Sequence, residues 1–190
     1  MAHGKPIAAG KSSFDLVDSE RLFQEIGLAQ AGAFLDLACG SGRYTLAAAG
    51  QMGPGGVIYA ADLWAEGIAS LREAVAIQGI VNIKPILADV SKRLPLDDQS
   101  IDLCLMATVL HDLVADSTAA GTLNELRRLI RPQGRLAVIE FKKIKEGPGP
   151  PIHIRMAPEE VEQMLLPYGF RRTKLFDAGP FTYCITFTTE

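Results

Sequence analysis

Phe34-Leu35-Asp36-Leu37-Ala38-Cys39-Gly40-Ser41-Gly42-Arg43-Tyr44-Thr45 decides the fold of this chain. Phe34, Leu35 and Leu37 form a short apolar run broken by one acid, Asp36, and the Cys39-Gly40-Ser41-Gly42 turn then leads into an alanine-rich helical segment. A buried strand, a glycine turn and a helix follow one another. Backbone without side chains at Gly40 and Gly42 lets a ligand come to contact distance, and the free N–H groups at the start of the helix point toward it. A nucleotide-like cofactor suits such a place. The nicotinamide version of the turn wants G-x-G-x-x-G, whereas here the third position is Thr45 and the residue before Cys39 is Ala38, so a redox reading fits poorly.

Moving outward, a second apolar strand over residues 57–60 finishes at Asp62, 22 residues beyond Gly40. In a βαβ unit that distance carries the acid to the tip of the neighbouring strand, where its carboxylate can accept both ribose hydroxyls. Capping of the helix that starts near Trp64 is the other role open to Asp62. A third strand, 83–87, contains Pro85, whose missing N–H points to an edge or irregular position. Before these elements, Phe14, Leu16, Val17, Leu22, Phe23 and Ile26 recur at helical spacing up to Gly27 and predict one helix. After them, Leu94-Pro95-Leu96-Asp97-Asp98-Gln99-Ser100-Ile101-Asp102 is a polar turn feeding a core strand, 103–106, expected beside the first strand at the switch in strand order.

That strand runs into Ala107-Thr108-Val109-Leu110-His111-Asp112. His111 reads either as a structural side chain or as a proton acceptor near neutral pH, with Asp112 free to orient its ring or to cap a helix. Arg127, Arg128 and Arg131 gather at the end of the next helix, where the dipole favours cations, and Arg131-Pro132-Gln133-Gly134 is expected to end it before a strand over 135–140. The proline- and glycine-rich stretch 147–151 must be a loop. His153 and Arg155 are alternate residues, and in an extended chain they would point to one side, toward an acidic or oxygen-bearing substrate, or else belong to a solvated connector. A last helix from Pro158 to Gly169 precedes a hairpin whose second strand alternates Phe181, Tyr183, Ile185 and Phe187 with Thr182, Cys184, Thr186 and Thr188.

Bulk properties narrow the partners. The chain has 190 residues, 48% of them hydrophobic, which suits one domain over residues 1–190 with a substantial core. Residues 1–13 are small and polar and read as a flexible N-terminal segment. A formal net charge of -3 offers no basic field for nucleic acid. Three widely spaced cysteines, Cys39, Cys104 and Cys184, imply neither a disulfide framework nor a metal site and suit a reducing cytoplasm. No run reaches the roughly 18 apolar residues of a membrane span. A small molecule is the favoured partner, and a monomer or homodimer the expected state.

Taken together, D-L-A-C-G-S-G, L-P-L-D-D-Q-S-I-D and R-P-Q-G resemble, in order and spacing over about residues 34–141, three motifs of the class I S-adenosylmethionine-dependent methyltransferases. The nearest likeness is to the type 11 and ubiquinone/menaquinone-biosynthesis-like small-molecule enzymes. Ala38 stands where that family usually has glycine. The resemblance implies an α/β, Rossmann-like fold with a seven-stranded, mostly parallel sheet, an antiparallel last strand and helices on both faces. It implies S-adenosylmethionine as cofactor, S-adenosylhomocysteine as product, and cofactor contacts from Asp36, Ala38, Gly40, Gly42, Asp62, Leu63, Asp89, Val90, Ala107 and Thr108. Asp89 would meet the adenine amino group and Val90 the ring. The N-terminal segment folds over cofactor and substrate in such enzymes, which nominates Lys11 and Phe14. His111, His153 and Arg155 complete the acceptor side, with His111 and His153 the catalytic candidates and no metal. Nucleic-acid amino methyltransferases carry [D/N]-P-P-[Y/F] after the fourth strand, where this chain has Met106-Ala107-Thr108-Val109. An RNA or protein methyltransferase, or a non-catalytic cofactor-binding module, is the alternative.

Overall fold

A computed structural model describes residues 10–53 and 55–189. The flexible segment expected over residues 1–13 therefore lies largely outside the described residues. Seven strands form one sheet: β1 (Ala33–Leu37), β2 (Val57–Asp62), β3 (Ile83–Leu87), β4 (Ile101–Ala107), β5 (Ile130–Phe141), β6 (Phe170–Asp177) and β7 (Thr182–Thr189). Their order is β3-β2-β1-β4-β5-β7-β6. The first five pair in parallel, and β7 runs antiparallel to both β5 and β6. β3 has β2 as its single neighbour, the edge position that Pro85 tolerates. The chain goes outward from β1 to β3 and then returns to the other side of β1 as β4, so the carboxyl tips of β1 and β4 flank the switch in strand order, where open α/β sheets form their ligand crevice.

Among the described residues six α-helices cover the sheet: α1 (Ser19–Glu25), α2 (Arg43–Ala49), α3 (Ala65–Gln78), α4 (Leu110–Ala115), α5 (Ala119–Leu129) and α6 (Pro158–Leu165). Alternation along the strands separates two apolar layers. Phe34, Ile58, Leu103, Leu105 and Ile139 pack with Leu22 and Phe23 of α1 and Ala48 of α2 on one face. Leu35, Leu37, Cys104, Met106, Leu136 and Val138 pack with Leu123 and Leu126 of α5 and Val161 and Leu165 of α6 on the other.

The structure departs from the sequence expectations in four places. The single N-terminal helix is instead a 3-10 turn, Phe14–Leu16, followed by α1, because Asp18 accepts a hydrogen bond from the Arg21 N–H at 3.0 Å and starts a new helix there. Residues 130–134 do not simply end α5. Ile130 already pairs with Ile101, and the register shifts before Leu103 pairs with Arg135, with Gln133 at φ 61 in the bulge. β7 is buried on both faces, because it lies inside the sheet between β5 and β6. The arginine cluster does more than meet a helix dipole. Arg128 donates to the Leu94 and Leu96 carbonyls, Asp98 and Glu125, while Glu125 accepts the Leu94 N–H at 2.7 Å, so the polar turn before β4 is clamped to α5.

Candidate active site

The glycine turn at the tip of β1 is built from left-handed backbone: Ala38, Gly40 and Gly42 have φ of 59, 58 and 81°. The two glycines serve different ends. A Cβ on Gly42 would lie 2.5 and 2.8 Å from the two methyl carbons of Leu71, so this glycine lets α2 start hard against α3. A Cβ on Gly40 would meet nothing within 4 Å, which marks open space above the turn. The neighbouring tip closes the other side. Asp62 accepts the Gly40 N–H and the Trp64 N–H, both at 2.7 Å, and Cys39 donates its N–H to the Ala61 carbonyl at 3.1 Å. Asp62 thus holds the backbone entry to α3 and the turn at once.

Beneath the turn, Asp36 is 1% exposed and accepts a hydrogen bond from the Thr45 hydroxyl at 2.5 Å. Burial pushes its carboxyl up to about 7, against the Thr45 hydrogen bond and with the help of the Asp62 charge. Among the described residues neither acid forms an ion pair. Asp62, joined by Asp36 once it ionises, places uncompensated negative charge near open backbone, which suits a ligand that carries positive charge, as the sulfonium and ammonium of S-adenosylmethionine do. At the tip of β3, Asp89 accepts from the Ser91 N–H and hydroxyl at 2.9 and 2.7 Å. Val90 is buried in the core, and Leu63 is exposed at the mouth of the crevice.

Across the crevice, Ala107 ends β4 and Thr108 takes φ 54°, an unusual conformation for a β-branched residue. Its N–H is fixed on the Ile139 carbonyl at 2.8 Å. Its hydroxyl donates to that of Ser13, which also bonds the Tyr44 hydroxyl, each at 3.0 Å. This buried chain of hydroxyls ties the N-terminal segment across the tips of β4 and β1. Phe14 meets Tyr44 edge-on at 5.0 Å with the Arg43 guanidinium 4.9 Å over its ring, whereas Lys11 is exposed. Upstream, a Cβ on Gly10 would lie 3.7 Å from the Trp64 ring, so the segment crosses the tip of β2 as well.

His111 is buried in the first turn of α4, and its partner is Glu140, which sequence reasoning missed. Glu140 Oε2 lies 2.8 Å from His111 Nδ1, and Oε1 accepts the His111 backbone N–H at 3.2 Å. Asp112 Oδ1 stands 3.6 Å from Nε2. Burial alone would lower the imidazole's affinity for a proton, but the Glu140 hydrogen bond and the charges of Glu140 and Asp112 outweigh it and raise the pKa above its ordinary value. An acid inside the apolar run Leu136-Ala137-Val138-Ile139-Glu140-Phe141 was the signal in the sequence.

The shared orientation expected of His153 and Arg155 is not found. Residues 152–154 form a turn, His153 is exposed, and Arg155 is buried. The Arg155 guanidinium donates to the carbonyls of Pro150, Lys142, Ile144 and Pro148 at 2.9 to 3.1 Å, so it holds the loop rather than offering a charge to a substrate. It also lies 5.8 Å over the Phe141 ring, which in turn meets His111 edge-on at 6.2 Å.

A doubly wound sheet with a glycine turn, two acids at adjacent tips and a seventh strand inserted antiparallel defines a class I S-adenosylmethionine-dependent methyltransferase. A family model described as a methyltransferase domain, type 11, matches residues 35–138, and the chain belongs to that family. The chain is 32% identical over 129 residues to the ubiquinone/menaquinone biosynthesis C-methyltransferase UbiE of Cupriavidus necator, covering 65% of this chain and 51% of the relative. To its counterpart in Burkholderia mallei it is 30% identical over 146 residues, covering 71% and 58%. The chain spans about half the length of these curated relatives. A crystal structure of a SAM dependent methyltransferase from Aquifex aeolicus superposes with a TM-score of 0.85 at 28% identity, over 95% of this chain and 94% of that one. The fold is shared with the 1,6-didemethyltoxoflavin-N1-methyltransferase of Burkholderia thailandensis, solved with bound S-adenosylhomocysteine, at a TM-score of 0.66 and 22% identity over 90% of this chain and 76% of that one.

Proposed function

We propose that the chain transfers a methyl group from S-adenosylmethionine to a small-molecule acceptor at the carboxyl tips of β1 and β4. The observation that carries this reading is the open space over Gly40 next to the Asp62 carboxylate, with the Asp36 carboxyl beneath the turn, neither of them ion-paired among the described residues. When bound, the cofactor supplies an electrophilic methyl carbon and a neutral leaving thioether. The protein's part is to align the acceptor and exclude water.

In this reading the open backbone at Ala38, Gly40 and Gly42 takes the methionine portion, with Asp36 beneath it. Asp62 turns from its backbone partners to the ribose hydroxyls, Leu63 flanks them, and Asp89 and Val90 take the adenine. Ala107 and Thr108 line the opposite wall, and His111 stands on the acceptor side. Lys11, Phe14 and His153 border the mouth, while Arg155 shapes the loop there. A small acceptor is favoured over a polynucleotide because Arg43, Arg128, Arg131 and Arg172 are all paired with carboxylates. The relatives' C-methyltransferase name makes aromatic carbon acids reasonable first acceptors. No described helix is long and apolar enough to cross a membrane, and the three free cysteines suit a reducing compartment such as the cytoplasm. Residues 1–190 would act as one catalytic domain, monomeric or homodimeric.

Titration calorimetry with S-adenosylhomocysteine tests the reading. The wild-type chain is expected to bind, and Asp62→Ala to bind more weakly by about 1–3 kcal/mol, because the ribose loses a charged acceptor. Unchanged affinity in Asp62→Ala removes that residue from the site. Absence of binding by the wild type removes the proposed function. Turnover of methyl-labelled cofactor against phenols, hydroquinones and amines then identifies the acceptor.

A further inference from the structure

We infer that Glu140 is a positioning residue that fixes His111 as the base taking a proton from the methyl acceptor at Nε2. The inference rests on the methyl-transfer reading and narrows its substrate class. Glu140 is fully buried on an apolar strand, and a carboxylate is kept in such a place only where hydrogen bonds hold it. Oε1 accepts the His111 backbone N–H, and Oε2 lies 2.8 Å from the ring Nδ1 while also accepting the Phe141 N–H at 3.4 Å, so each oxygen has a hold on His111. That two-point grip sets the rotation of the ring and, with Glu140 Oε2 as acceptor, places the proton on Nδ1, so Nε2 carries the lone pair.

Location gives the lone pair a use. His111 stands three residues after Thr108, whose strained backbone forms the β4 wall of the crevice. Among the described residues no hydrogen bond reaches Nε2; Asp112 Oδ1, at 3.6 Å, is too far for one. The charged groups facing the ring are Glu140 from β5 and Asp112 from α4 itself. Phe141 meets the imidazole in a T-shaped contact and brings no charge, and Arg155 lies over the Phe141 ring. Tyr183, opposite Glu140 on β7, gives its hydroxyl hydrogen to the Met156 carbonyl at 2.8 Å and is held neutral by burial. Two acids and no facing cation make the imidazole a stronger base than a free one, in line with its raised pKa.

The step balances without a further reactant. As the acceptor atom forms its bond to the methyl carbon, its proton passes to Nε2. The electron pair of the broken carbon–sulfur bond stays on sulfur, which leaves neutral, and the new imidazolium faces the Glu140 carboxylate. The acceptors that need such a site carry a proton on the reacting atom: a phenolic or enolic hydroxyl, a ring N–H, or an activated aromatic C–H. A tertiary amine or a thioether gains nothing from it.

Nitrogen-15 NMR of the imidazoles in the full chain without ligand tests this. Above its titration His111 is expected in the Nδ1–H form, with a pKa above that of an exposed histidine, and Glu140→Gln is expected to lower that pKa. Carbethoxylation by diethyl pyrocarbonate, mapped by mass spectrometry, is expected at His111 Nε2, with its pH midpoint moving down in Glu140→Gln. The Nε2–H tautomer in the wild type overturns the proposal even if Glu140→Gln does not fold. So does an unmoved pKa in a folded Glu140→Gln, or a His111 that the reagent never reaches. None of these readouts needs the cofactor, so a failure here is distinct from a failure to bind S-adenosylhomocysteine.

Discussion

Gly40 and Gly42 look equivalent in the sequence, yet their surroundings separate them. Both have positive φ, so an added Cβ costs each about 1 kcal/mol of backbone strain. At Gly42 the Cβ also collides with Leu71, and Gly42→Ala is expected to lose at least about 2 kcal/mol in urea denaturation. At Gly40 the Cβ enters open space. Gly40→Ala should therefore stay folded with a loss near 1 kcal/mol while losing most of its affinity for S-adenosylhomocysteine. Equal stability losses in the two variants would show that the space over Gly40 is not what separates them. Ala38 already carries the strain, at φ 59°. Ala38→Gly is expected to gain about 0.5 kcal/mol, the relief of left-handed alanine less the extra freedom glycine gives the unfolded chain. A stability loss on the same urea assay would contradict that strain.

Among the elements, the loop after β5 differs most from its appearance in sequence. Glycine and proline at 147–151 signal only the absence of regular structure, whereas the folded loop is wound on the Arg155 guanidinium and packed so that Cβ atoms on Gly147 and Gly149 would strike Phe181 and Phe141. Arg155→Ala leaves four carbonyls without their donor and is expected to cost about 2–4 kcal/mol. Hydrogen exchange should show lost protection concentrated in residues 141–156. Uniform loss across the sheet would mean that Arg155 supports the whole fold and not the loop. The strand tips were legible because each motif is local: apolar run, turn residues and acid lie within a few positions. His111 with Glu140, Arg128 with the 94–98 turn, and Ser13 with Thr108 and Tyr44 were not, because sheet register brings together residues 29 to 95 positions apart. One residue of slip between β4 and β5 would turn Glu140 to the other face.

Across the whole molecule, two buried groups make stability depend on pH in the same direction. Asp36 titrates near 7 when folded against 3.8 as a free side chain, so between those values the folded chain holds more protons than the unfolded one and loses stability as pH rises. His111 is raised too, so its pairing with Glu140 contributes fully below its unfolded value of about 6.5 and is lost as pH rises through the higher folded value. Unfolding free energy is therefore expected to fall in urea titrations as pH rises above the ordinary carboxylate range through about 7 and on through the His111 titration, and Asp36→Asn to flatten the lower part of that slope. Cofactor binding should answer with the opposite trend. S-adenosylmethionine carries a sulfonium charge that S-adenosylhomocysteine lacks, and an ionised Asp36 favours that charge whereas a protonated one does not. The ratio of the two dissociation constants should thus turn in favour of S-adenosylmethionine as Asp36 ionises, and Asp36→Asn should remove that part of the trend, leaving the change that accompanies the His111 titration. Calorimetry with both ligands across that range measures the ratio directly, and a wild-type ratio independent of pH would mean that Asp36 does not sense the transferable methyl's charge.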